Sequence, residues 1–177
     1  ETNPNIPAAL LAPLAGGTIE DFRVIKELER HAVLVPRSAI ENVKKDALSA
    51  VSGKEKEFLQ KSADMFTDLT QVEIVKDIAN ALPEKDRRAA EDIKEELLRK
   101  MRARLEAAKT KAEERGLLHA FTGSGLEDVK VIEEHRKTLG AAADKLLSAQ
   151  VRQLTAYVAH VSEPKRIQLM KEKMKTD

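Results

Sequence analysis

The chain has 177 residues, 34% of them charged and only 3% aromatic, with no Trp and no Cys. Its 31 basic and 30 acidic residues leave a formal charge of +1, a balance that gives no general attraction to a phosphate backbone. Without Cys there can be no disulfide, thiolate metal site or Cys nucleophile.

Ala, Leu, Lys and Glu with few aromatics is the composition of long helices. Alternating β-branched and aromatic runs are too few for a sheet, so the expected class is all-α. No apolar run reaches the ~20 residues that span a bilayer. The chain begins with Glu1 rather than Met, which leaves room for a signal or transit peptide removed upstream.

Residues 1–17 read as an apolar arm punctuated by Pro4, Pro7 and Pro13, which prevent a continuous α-helix. Leu10, Leu11 and Leu14 are its candidate contact residues, docking either on the chain's own domain or on a neighbour. Residues 18–163 then read as one helical domain.

Thr18 with Asp21 opens a first helix in the manner of a capping box. Its apolar face is Phe22, Ile25, Leu28, Ala32 and Val35, and Pro36 stops it. Ser38 with Glu41 opens a second, with Ile40, Val43, Ala47 and Val51 inward. Ser52 with Glu55 opens a third, carrying Phe58, Leu59, Met65, Phe66 and Leu69. Thr70 with Glu73 is another box, so residues 54–82 form either one kinked helix or two. Val72, Val75, Ile78 and Leu82 supply the last short face.

From Pro83, well placed at the start of a helix, to Gly116, well placed at its end, strong helix formers follow without interruption. At 1.5 Å per residue this segment spans about 50 Å. Its stripe is Ile93, Leu97, Met101, Leu105, Ala108 and Ala112, with Ala90 and Leu98 beside it. The rest of the chain is expected to pack along it.

A second long helix is expected from Ser124, as cap, to about Ser162, where Glu163-Pro164 ends it. Its seam runs through Val129, Ile132, Leu139, Ala143, Leu146, Leu147, Val151, Leu154, Val158 and Val161. From Leu147 onward the 4, 3, 4, 3 spacing is that of a coiled coil. Gly140 marks a crossing or a bend. Joined by a short link, the helices of about 84–115 and 125–162 should form an antiparallel hairpin, packed with the shorter N-terminal helices as a multi-helix bundle. Residues 164–177 read as a basic amphipathic tail with Ile167, Met170 and Met174 on one face.

Chemistry is sparse. None of His31, His119, His135 and His160 has the Glu three residues before it that a di-iron bundle uses. No His-x-x-x-His offers zinc ligands, and His135 reads as part of a solvated face. No nucleophile elbow or phosphate loop appears. The turn Thr122–Gly125 precedes a helix and could hold an anion, although a plain turn and cap is the commoner use of such a sequence.

Arg99, Lys100, Arg102 and Arg104 form a candidate basic patch, flanked by Glu95, Glu96 and Glu106 and lacking interleaved aromatics. No catalytic residue, cofactor or metal is expected. What remains is a non-catalytic helical interaction protein, a subunit or adaptor of a larger assembly. Its candidate partner-binding residues are the arm leucines and the seam Leu147, Val151, Leu154, Val158 and Val161. The partner is another protein, with self-association as one case.

Two alternatives stand beside it. One is a ligand- or signal-sensing bundle with a pocket between helices. The other binds lipid or nucleic acid through the basic run or the tail. Nucleic acid is disfavoured by the charge balance, and peripheral membrane contact by a tail without Trp or Phe.

Overall fold

The computed structural model describes residues 8–30, 35–65, 67–123 and 125–176. The expected cap at Ser124, the apolar positions Ala32 and Phe66, His31 and the first residues of the arm lie outside them. So do the side chains of Val161, Ile167 and Met170.

Among the described residues every regular element is helical. A 3-10 stretch, Ala8–Gly16, leads into α1 (Ile19–Arg30), α2 (Arg37–Ala50), α3 (Glu55–Met65) and α4 (Leu69–Ala81). Then come α5 (Glu84–Glu106), α6 (Lys111–Phe121), α7 (Leu126–Glu134), the single turn α8 (Arg136–Leu139) and α9 (Ala142–Thr176). The fold is an all-α, multi-helix one.

Several expected starts hold. Thr18 and Asp21 cap α1 reciprocally, each side chain accepting from the other's backbone N–H at 3.1 and 3.2 Å. Pro83 stands at the N-cap of α5. Others fall elsewhere. Pro36, not Ser38, occupies the N-cap of α2 and offers no side-chain bond. Residues 54–82 form two helices, because Asp68 caps α4 by accepting the Gln71 N–H at 2.8 Å.

The long helix expected over 84–115 ends at Glu106. Thr110 accepts the Glu113 N–H at 3.1 Å, and Glu113 accepts the Lys109 N–H at 2.8 Å. This capping box starts a new helix. The alanine end of the stripe therefore does not extend the buried face: Ala108 is half-buried and Ala112 exposed. Gly116 stops nothing, since α6 runs on to Phe121 and buries Leu118 and Phe121.

The helix expected over 125–162 is likewise divided. It pauses at His135 and breaks at Gly140, whose φ of +58° suits glycine alone. Then α9 continues past Ser162 and through Pro164 to Thr176. Proline there removes the bond to the His160 carbonyl, and His160 is exposed, so water can take its place. The two-helix hairpin is thus a chain of shorter segments.

The hub is α4, not the central helix picked out by length. Seven consecutive residues, Leu69 to Val75, are buried, followed by Ile78 and Ala79. A helix covered on all sides lies at the centre of a fold. It packs on α1, α3, α5 and α7. Next to it α5 buries Ala90, Ile93, Leu97, Leu98, Met101 and Leu105, the expected stripe. Phe22 of α1 meets Phe58 of α3 edge to face, ring centres 5.4 Å apart. Leu11 of the 3-10 stretch is buried against this core, Leu14 is half-buried and Leu10 is 65% exposed.

Candidate functional site

Three regions carry polar chemistry or exposed apolar surface. The deepest joins α1, α4, α7 and α9. Lys26 and Arg30, one turn apart on α1, point the same way as Phe22 and Ile25 and are drawn into the interior. Arg30 Nη2 donates to Asp128 Oδ1 at 2.8 Å and to Glu73 Oε2; Nη1 donates to Thr70 Oγ1 at 2.9 Å. Its side chain is 4% exposed, that of Glu73 3% and that of Asp128 0%. Gln150 of α9 completes the group, its Nε2 donating to Asp128 Oδ2 and to the Gly125 carbonyl, both at 3.0 Å.

The turn before α7 is shaped by this pair. A Cβ on Gly123 would lie 2.7 Å from Arg30 Nη1 and 2.8 Å from Asp128 Oδ2. Gly123 and Gly125, of the turn that was an anion candidate in the sequence, lie against the chain's own Arg30, and Gly123 also against Asp128. Beside it Lys26 Nζ reaches Asp77 at 2.6 Å, Glu29 at 3.1 Å and Glu127 at 3.7 Å. Lys44 of α2 shares Glu29 and Asp77 at 2.8 and 3.0 Å.

One buried cation facing two buried carboxylates would leave a net negative charge if both were ionised. Burial raises the Glu73 carboxyl, pushed up to about 10, and a hydrogen bond to Asp128 and that group's charge add to the effect against the pull of Arg30. Glu73 therefore keeps its proton at neutral pH; its Oε1 receives no donor among the described residues. Lys26 is raised although burial opposes it, because Asp77, Glu29 and Glu127 favour its charged form. This network ties α1, α2, α4, α7 and α9 together through buried and half-buried ion pairs and a hydrogen bond.

None of this was read from the sequence. Thr70 and Glu73 looked like a capping box, yet both side chains serve Arg30. The available signal was Lys26 and Arg30 spaced four apart beside the apolar positions of α1.

The second region is the outer part of α9. The helix is packed into the body as far as Gln150, with Ala143, Leu146 and Ala149 buried and Leu147 half-buried. Gln153 still holds to α6 and its end, donating to Thr122 Oγ1 at 2.5 Å. From Val151 on, the expected seam opens to solvent: Val151 is 54% exposed and Val158 56%, with Leu154 half-buried between them. The arm leucines, of which Leu11 is in the core, do not join this surface.

The third region lies where the basic run meets α8. The four cations have different surroundings. Lys100 pairs with Glu96 at 3.2 Å, and the Arg104 guanidinium sits 5.2 Å over the Phe121 ring. Arg99 and Arg102 instead line an open cleft of about 560 Å³ with Ala103, Glu106, Lys137 and Thr138. Behind it His135, 12% exposed at its side chain, places Nδ1 3.0 Å from Glu95 Oε1. Thr138 Oγ1 donates to the other Glu95 oxygen at 2.5 Å. Burial opposes the charged form of Glu95, but Thr138 and His135 outweigh it and hold the carboxyl below its ordinary value. His135 is thus a half-buried partner of α5, not part of the solvated face its Glu133-Glu134 neighbours suggested.

Among the described residues no group of three or more His, Asp or Glu side chains is arranged to hold a metal ion. Nor is any helix among them long and apolar enough to cross a membrane.

The chain resembles a family of unknown function (DUF6243) over residues 77–117, a stretch shorter than half its length that takes in the end of α4, all of α5 and part of α6. No curated protein and no solved structure matches it.

Proposed function

We propose that the protein is a non-catalytic interaction protein, a subunit or adaptor that engages another chain through the outer part of α9. The observation that carries this reading is the exposure of Val151 and Val158 on a helix that runs on for another 18 residues past Val158, to Thr176. Residues 151–176 would extend for about 40 Å. Apolar side chains spaced by three and four on such a helix suit a helix-in-groove contact.

Charge supports a partner with an acidic face. Residues 151–176 hold Arg152, Lys165, Arg166, Lys171, Lys173 and Lys175 against Glu163 and Glu172, six less two, or +4, whereas the whole chain is +1. Complementary charge at the rim of an interface speeds encounter and sets orientation.

Val151→Lys with Val158→Lys tests the reading. Both positions are exposed, so the double variant is expected to melt as the parent does, while losing a partner captured by the parent or its own self-association in sedimentation. Unchanged association would refute the interface, and so would loss of folding.

A further inference from the structure

Arg99 and Arg102 are three apart on α5 and so share a face. From the other side of the cleft α8 contributes Lys137. Arg99, one turn after Glu95, helps hold that carboxyl in its charged form through its own charge, and both Arg99 and Lys137 are exposed at the cleft. Arg102, by contrast, is fixed. Its Nε donates to Glu106 at 2.7 Å and its Nη1 to the Thr138 carbonyl at 3.1 Å.

The backbone is shaped to receive that guanidinium. At Gly140 a Cβ would lie 3.1 Å from Arg102 Cζ and 3.2 Å from both Nη atoms. The positive φ of Gly140 turns the chain there. Arg102 is thereby held in place through its Nε and Nη1.

Three cations thus face one opening. The carboxylate lining it, Glu106, is already bound to Arg102. The nearby Glu95 has both oxygens taken by His135 and Thr138. The lining groups sum to +3 less one, or +2. Planar guanidinium groups with a neighbouring ammonium match the several oxygens of a doubly charged phosphate better than a single carboxylate.

We propose that the cleft between α5 and α8 binds a phosphate group, carried either by a small phosphorylated molecule or by a lipid headgroup. Arg102 is the preset donor, and Arg99 and Lys137 close on the remaining oxygens. An extended nucleic-acid strand fits less well, since no aromatic side chain lines the cleft to stack a base.

The test uses the full chain and the double variant Arg99→Gln with Lys137→Gln. Both positions are exposed, so the variant is expected to melt as the parent does. Inorganic phosphate and pyrophosphate are titrated at low salt by nuclear magnetic resonance. In parallel, sedimentation is measured with phosphatidylcholine vesicles with and without phosphatidic acid.

Shifts clustered at the backbone amides of Arg99, Arg102, Lys137 and Thr138, with a loss of roughly tenfold or more in affinity in the variant, would support a free phosphorylated ligand. Sedimentation that needs phosphatidic acid and is lost in the variant would support the lipid headgroup. A control variant, Lys130→Gln with Arg152→Gln, removes two other exposed cations. Equal losses in both variants would overturn the site, leaving only diffuse charge, and so would no binding in either arm.

Discussion

Replacing Arg30 by Met removes the only cation that touches both Glu73 and Asp128 among the described residues. Methionine fills much of the same volume without a charge. Asp128, wholly buried, then loses its charged partner and keeps only neutral ones among the described residues, Gln150 at 3.0 Å and the protonated Glu73. Breaking a buried pair by removing one partner costs about 3–5 kcal/mol, because the other charge stays behind uncompensated. For a chain of this size each kcal/mol moves the melting temperature by about 2–4 °C, so the variant should melt about 6–20 °C lower.

The reasoning makes a second demand. If the cost comes from the stranded carboxylate, Asp128→Asn added to Arg30→Met should restore part of it, with a coupling of about 0.5–3 kcal/mol. Urea melts followed by circular dichroism measure both quantities. A cost below about 1 kcal/mol for Arg30→Met, or no recovery in the double variant, would show that the network does not hold the helices as described.

Stability should also fall as pH rises. The folded Glu73 carboxyl is raised from an ordinary 4.5 to about 10, so its contribution is complete below about 4.5 and is lost progressively toward pH 10. The raised Lys26 adds stability that persists below its ordinary value of 10.5 and is lost above it. Glu73→Gln, which keeps the shape and removes the titration, should flatten the urea midpoint between neutral pH and 10; an unchanged slope would refute the assignment. Leu97→Ala and Leu146→Ala, each at a fully buried position, should cost about 2–5 kcal/mol apiece in the same melts, and a cost below about 0.5 kcal/mol would place them outside the core.

Local chemistry determined the class of fold and much of which side of each helix faces inward. Thr18 with Asp21, Pro83, and the stripe from Ala90 to Leu105 act within a turn or two of chain, and short range is what a sequence displays. Thr110 with Glu113 was just as visible, but the strong helix formers on either side concealed the break.

Tertiary structure decided the rest. Thr70 and Glu73 have cap spacing, yet Asp68 takes the cap, because Arg30, 43 residues before Glu73, needs both side chains in the interior. Arg99 and Arg102 became lining of a cleft rather than members of a basic run only because the turn at Gly140 places Lys137 opposite them. Val151 and Val158 share the seam of Leu146 and Leu147, and no residue type separates the buried part from the exposed part. What separates them is where the body of the protein ends, and that depends on how all the other helices pack.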